Sequence, residues 1–351
     1  RRDLAEILGG TFSTCVEEDI YSADLILVVG ADPSTYNPVM SMKLRRAIKN
    51  QAKLVVINSG NTDLARTSSL WLDPRRGTIH LILAGILKKI IERSGKEEWS
   101  KDSGFEELKQ SLAQLGLDEI SRLSGVESEK IEKLVEMILR AKNLVAIYDL
   151  DDSLERAPND LSLLAQLLIL TGHIDRPGNG LLLLETDCNS VGAKLAGMKQ
   201  GILPGGYYLK DVSFKNWESY LGKNFEQSWD KNPKSLVDRL KAGEIRTALV
   251  ILEDPLSDPA SEKLFKDLES LIVIDLFMTE TAKNAQVVFP ASSLAETEGS
   301  IISFDRKIKA IELACQPKGR LNNLELFSKL ALGLKAKISA DNPETIRKEF
   351  C

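Results

Sequence analysis

The chain has only four cysteines, Cys15, Cys188, Cys315 and Cys351, and no CxxC pair among them, so no zinc or iron–sulfur ligand set can be read from it. It has two histidines: His80 lies on an apolar helical stretch and His173 in a turn, where structural roles are the plain reading. Positive charge is not in excess. Forty-six basic residues against fifty-one acidic ones give a net charge of -5, which removes the electrostatic case for nucleic acid or an anionic membrane as partner. No apolar run reaches the roughly 18 residues of a membrane span, and no charged-then-apolar leader opens the chain. The expectation is a cytoplasmic protein with no direct membrane insertion, held at most at the cytoplasmic face of a membrane complex. The start on Arg1 without an initiator methionine, and the end on Cys351, set the further expectation of a fragment of something longer.

What is present is core-forming sequence. At 351 residues and 43% hydrophobic content the chain can fill two domains. Leu25 to Val29 is a run of five apolar residues, the pattern of a strand buried on both faces of a parallel sheet, and Gly30 turns the chain at its end. Pro38 opens a helix with Val39, Met42, Leu44, Ala47 and Ile48 near helical spacing. Lys53 to Ile57 then completes a strand-helix-strand unit, whose ligand side lies at Gly30, Ala31, Asp32, Pro33 and Asn58. Further helices are expected at 79–91 with Thr78 as cap, at 104–115, at 127–141 capped by Ser128, and at 161–170. Strands are expected at 70–72, 144–148, 248–252 and 271–275. Residues 1–20 read as a helix, a turn and a polar linker, and 201–235 as an irregular stretch with aromatic anchors.

Two parts of this chain share a grammar. VVGADP, a helix, LVVIN and TDLARTSSLWLDP in the first half match VILEDP, a helix, LIVID and TETAKNAQVVFP in the second. Each has an acidic-proline turn after a buried strand and a Thr-led polar segment before a short apolar strand. Either each unit serves one half of a pseudo-symmetric ligand, or a common fold repeats with no ligand. The fold class expected is α/β: two Rossmann-like αβα layers with mainly parallel sheets, related by an internal repeat. The first domain is placed at 1–141, the second at 142–335, and a tail at 336–351.

The segments ADLILVVGADPSTYNPV, AKLVVIN, LLILTGHIDRPGNGLLLL, NSVGA, ILPGGY and IDLFMTETAKNAQVVFPASSLAETEGSIISFDRKI occur in the order they take in the molybdopterin oxidoreductase family. The chain resembles in particular its formate dehydrogenase alpha subunits and the large iron–sulfur subunit of bacterial NADH-quinone oxidoreductase. The resemblance implies a fold that, in active members, holds a pair of molybdopterin guanine dinucleotides with Mo or W, one nucleotide per half. By the same resemblance Gly30, Asp32 and Pro33 match the first nucleotide turn, and Asn58 stands where an aspartate is usual. Asp254 matches the second turn, Asp275 its ribose-side acid, and Thr279, Glu280 and Thr281 the segment after it. Asn189 and Gly192 match the pterin-side loop.

Several residues depart from the family pattern. Leu252 replaces the second turn's glycine, and Asp32 and Asp254 replace amides. Glu185 stands in an arginine position, Asp187 in a glutamine position, and a glycine-rich stretch has become DLDDS at 149–153. Carboxylates repel a pyrophosphate and donate no hydrogen bond to it. The expectation is therefore an oxidoreductase part resembling the large subunit of NADH dehydrogenase, a scaffold with a decayed cofactor site. It has no catalytic or metal-ligating residue and no cofactor of its own. Iron–sulfur clusters are expected only in a missing N-terminal part, and the partners are other subunits of an electron-transfer complex. The alternative is a truncated piece of a catalytic formate dehydrogenase-type subunit that binds the bis-molybdopterin cofactor.

Overall fold

The computed structural model describes residues 12–94, 104–150, 159–174, 176–185, 187–198, 201–208, 234–318, 321–335 and 342–350. The expected helix near the start, most of the acidic stretch 149–160, most of the aromatic stretch 201–235, the beginning of the tail and Cys351 lie outside the described residues. The chain divides into two compact units, residues 1–191 with 302–307, and residues 192–301 with 308–351.

The first unit runs through β1 (Leu25–Val29), α1 (Pro33–Tyr36), α2 (Pro38–Lys49), β2 (Lys53–Ile57), α3 (Asp63–Thr67) and β3 (Leu70–Leu72). It continues with α4 (Ile79–Ser94), α5 (Phe105–Ala113), α6 (Leu117–Ser124), α7 (Ser128–Arg140), β4 (Leu144–Asp149), α8 (Asp160–Leu170) and β5 (Gly180–Leu184). The strands form one sheet in the order β3-β2-β1-β4-β5, every neighbouring pair parallel. Helices cover both faces, which is why the strands are apolar runs and do not alternate. Leu25, Leu27 and Val29 join one core with Ile82, Ile86, Leu134 and Leu168, while Ile26 and Val28 join another with Met40, Leu44 and Ala47.

Several expectations are corrected here. On α2 the buried stripe is Met40, Leu44 and Ala47, and Val39 and Met42 face solvent, because the sheet meets the helix at the i, i+4, i+7 row that begins one residue later. Thr78 donates its hydroxyl to the Arg75 carbonyl, and α7 is preceded by Glu127, with Ser128 already helical. Helix α6 was not expected. Nor was β5, whose LLLL run pairs with β4 and places residues 142–191 in the first unit instead of a second domain. The domain boundary near 141 was drawn at the end of a long helical excursion, but the buried β4 returns to the free edge of β1.

Helix α9 (Ser190–Leu195) begins in the last residues of the first unit, and in the second unit the hairpin β6 (Ile202–Leu203) and β7 (Tyr207–Tyr208) follows. Next come α10 (Leu236–Lys241), β8 (Thr247–Ile251), α11 (Pro259–Phe265), β9 (Ser270–Asp275), α12 (Glu280–Lys283) and β10 (Val287–Pro290). Strands β11 (Gly299–Ile302) and β12 (Ile308–Ile311) pair with each other, and α13 (Asn323–Gly333) and α14 (Pro343–Phe350) follow. The central sheet is parallel, in the order β10-β9-β8. Leu271, Val273 and Ala282 pack on one face with Val250, Phe265 and Leu268, whereas Leu249, Ile251 and Val287 on the other face are exposed. Among the described residues this second layer is thus covered on one side. No described helix is long and apolar enough to cross a membrane.

Candidate functional site

In an open parallel sheet the ligand crevice lies beyond the carboxyl ends of the strands, where the strand order reverses. In the first unit that point is between β1 and β4. Gly30 leaves β1 with φ 59, a left-handed backbone that glycine adopts without steric cost, and its N–H donates to the Ile57 carbonyl at 2.9 Å. Asp32 follows with φ -125 and ψ 77, as cap of the short helix that opens on Pro33. Its Oδ1 accepts from the Ser34 amide at 3.2 Å and from the Ser34 hydroxyl, and its Oδ2 accepts from the Thr35 hydroxyl at 2.7 Å. Asn58, just past β2, donates its side-chain amide to the Ala31 carbonyl at 3.3 Å. Gly30, Asp32, Pro33 and Asn58 are therefore gathered at one end of the sheet, where Asp149 also closes β4 in a buried position.

The second unit repeats this turn in backbone terms. Leu252 leaves β8 with φ 54, and its N–H donates to the Ile274 carbonyl at 2.9 Å. Asp254 follows with φ -123 and ψ 65, ahead of Pro255. Thr279 caps α12 by accepting from the Ala282 amide at 3.2 Å, as Thr62 caps α3 by accepting from the Ala65 amide at 3.1 Å. The echo heard in the sequence is thus a repeat of geometry. Its departure lies at Leu252, which the apolar run put last in a strand and the resemblance put at the turn's glycine, and which stands in the left-handed turn. A leucine held there costs about 1–2 kcal/mol against glycine.

The carboxylates at this second end have partners of their own. Asp254 Oδ1 accepts from the Thr281 amide at 2.9 Å and its hydroxyl at 2.7 Å, and these bonds hold the carboxyl below the usual carboxylate range. Thr281 Oγ1 also accepts from the Leu256 amide at 3.0 Å, so the turn and α12 are clamped together. Asp275 is only 9% exposed, and its Oδ1 accepts from the Phe277 amide at 3.2 Å. Glu280 forms an ion pair with Lys283 at 2.6 Å. Asp254, Asp275, Thr279, Glu280 and Thr281 share this end of the second sheet. The last two candidates are placed by other partners: Asn189 Oδ1 accepts from the Ile302 amide at 2.9 Å, and Gly192 lies inside α9.

The clamp from Thr281 to Asp254 was missed in the sequence, because side-chain bonding across 27 positions leaves no local signal. Lys307 pairs with Glu18 and with buried Asp305, within the first unit. Cys15 is buried, and burial, aided by Asp19, pushes its thiol up to about 12, which leaves it no reactive character at neutral pH. Cys188 and Cys315 are exposed free thiols.

Two units with parallel sheets and similar turns at their strand ends define an α/β fold class, and comparison with known proteins narrows it. The molybdopterin oxidoreductase family model matches residues 6–324, and the chain belongs to that family. It is 29% identical over 344 residues to the F420-dependent formate dehydrogenase subunit alpha of Methanocaldococcus jannaschii, covering 95% of this chain and 51% of the relative. It is 31% identical over 331 residues to the F420-dependent formate dehydrogenase 1 subunit alpha of Methanococcus maripaludis, covering 90% and 48%. Against formate dehydrogenase H of Escherichia coli the identity is 26%, covering 97% and 49%. The chain thus spans about half the length of these relatives. Among solved structures, acetylene hydratase from Pelobacter acetylenicus superposes with a TM-score of 0.67 at 17% identity, over 92% of this chain and 48% of that one, a likeness of fold.

The family implies a pterin dinucleotide, and the two turns meet it differently. The Gly30 turn has the bare left-handed residue that lets a phosphate approach backbone N–H groups. At the Leu252 turn the same left-handed backbone carries a half-exposed isobutyl group.

Proposed function

We propose that this chain is the molybdopterin-oxidoreductase-like part of a larger electron-transfer subunit, similar to the large iron–sulfur subunit of NADH dehydrogenase. The fold serves as a scaffold, and the dinucleotide site no longer holds its cofactor. The observation that carries this reading is the state of the two turns. The Asp32 and Asp254 carboxylates are tied into hydrogen bonds with Ser34, Thr35 and Thr281, and Leu252 fills the place of a glycine. Fixed negative charge at both turns opposes a polyanionic ligand, the more so where solvent is displaced. Iron–sulfur clusters elsewhere in the longer polypeptide then carry the electrons, and this part docks neighbouring subunits on the cytoplasmic side.

The second reading, a catalytic formate dehydrogenase-type subunit, is supported by the retained left-handed Gly30 and by the relatives' names. The full-length parent, purified with its native partners, separates the two when assayed for formate-dependent reduction of a viologen dye. The scaffold reading expects no reduction above a formate-free control. Sustained formate-dependent turnover would replace it with the catalytic one.

A further inference from the structure

We propose that Leu252 is a specificity-determining residue that closes the second unit's turn to a diphosphate. The inference rests on reading the two turns as the paired nucleotide positions of this fold, and it is separable from whether the parent turns over formate.

The two turns agree in backbone detail: φ 59 at Gly30 and 54 at Leu252, each donating at 2.9 Å to an isoleucine carbonyl near the end of the adjacent strand, each followed two residues later by an Asp-Pro pair. They differ in what the left-handed residue carries. Gly30 is buried and has no side chain, whereas Leu252 is 47% exposed. A leucine kept in a conformation that favours glycine, yet not buried as core, is not explained by packing. On the reading of this turn as a diphosphate position, Leu252 is the residue whose backbone a phosphate oxygen would approach.

The neighbouring residues have the same character. Leu252 is bonded to Ile274, and past that residue come Asp275 and then Leu276, Phe277 and Met278, all three exposed, with Phe277 at 74%. The corresponding stretch past Ile57 is Asn58, Ser59, Gly60 and Asn61, small and polar. One strand end is therefore open and polar, and the other is apolar beside a carboxylate, a surface that disfavours a hydrated diphosphate.

The test uses guanosine diphosphate as probe, with calorimetry for affinity and amide hydrogen exchange for location, on the wild-type chain, Leu252→Gly and Leu252→Asn. Both replacements are at ease in the left-handed region, so neither is expected to lower Tm. Each is expected to bind the probe at least about tenfold more tightly than wild type, with new amide protection at residues 250–258. Unchanged affinity in both variants, protection arising elsewhere, or the same protection already present in the wild type would overturn the proposal.

Discussion

Burial holds two titratable side chains of the first unit in their neutral forms, and each makes a pH prediction with a definite sign. His173 is buried, its Nε2 donates to the Ala141 carbonyl at 3.2 Å, and its Nδ1 lies 2.8 Å from Thr171 Oγ1. Burial lowers its pKa below the ordinary 6.5, so as pH falls the unfolded chain takes up that proton first. Stability from this site is therefore complete above pH 6.5 and is lost as pH falls below it. His173→Asn is expected to cost about 1 kcal/mol at neutral pH through the altered hydrogen bonds. Urea melts should also show a shallower loss of stability in acid than the wild type shows. An acid limb of unchanged slope would refute the assignment.

Cys15 makes the opposite demand on pH. Its thiol is raised from 9.0 to about 12, so the stability it contributes is complete below pH 9.0 and declines as pH climbs towards 12. At pH 8 iodoacetamide should label Cys188 and Cys315 in the folded chain and reach Cys15 only after denaturation, as read by peptide mass. The identities of Cys15, Asp32, Asp254 and Leu252 were all legible in the sequence. Their surroundings were not, because a carboxylate that faces a ligand and one that accepts from Thr281 are written with the same letter.

The elements were legible where their apolar period was strong. β1, β2, β4 and β9 stand close to where unbroken apolar runs placed them, since strands buried on both faces need such runs. β5 was obscured by the glycine and proline turn before it, and its position depends on a partner far away in the chain. Residues 13–15 lie along its outer edge: the Thr14 amide donates to the Leu181 carbonyl at 2.8 Å, and Ser13 Oγ accepts from the Leu183 amide at 2.9 Å. That stitch explains Gly180, whose φ is 148 and whose missing Cβ would sit 2.6 Å from Cys15 Cβ. Gly180→Ala is expected to destabilise the first unit by about 2–4 kcal/mol in urea unfolding. Gly60→Ala, also at positive φ but with no neighbour within 4 Å, isolates the backbone share and should cost about 1 kcal/mol. Equal costs at the two sites would contradict the close-approach account.

The two units differ in their sheets, five parallel strands in one and three in the other, but share one turn-bearing segment with different chemistry at its two turns. The repeat was audible in the sequence because strand, acidic-proline turn, helix, strand and Thr-led segment recur in order. The extent of the first unit was not, since α4 to α7 separate β3 from β4 and read like a domain end. Family membership follows from the match over residues 6–324, and the proposed loss of the cofactor sets this chain apart from the family's active members.

The most direct measurement is the molybdenum, tungsten and guanine nucleotide content of the full-length parent, purified from cells that also yield a loaded formate dehydrogenase as positive control. A decayed site predicts far less than one metal and one guanine nucleotide per chain while the control is loaded. Stoichiometric metal together with two guanine nucleotides per chain would contradict it.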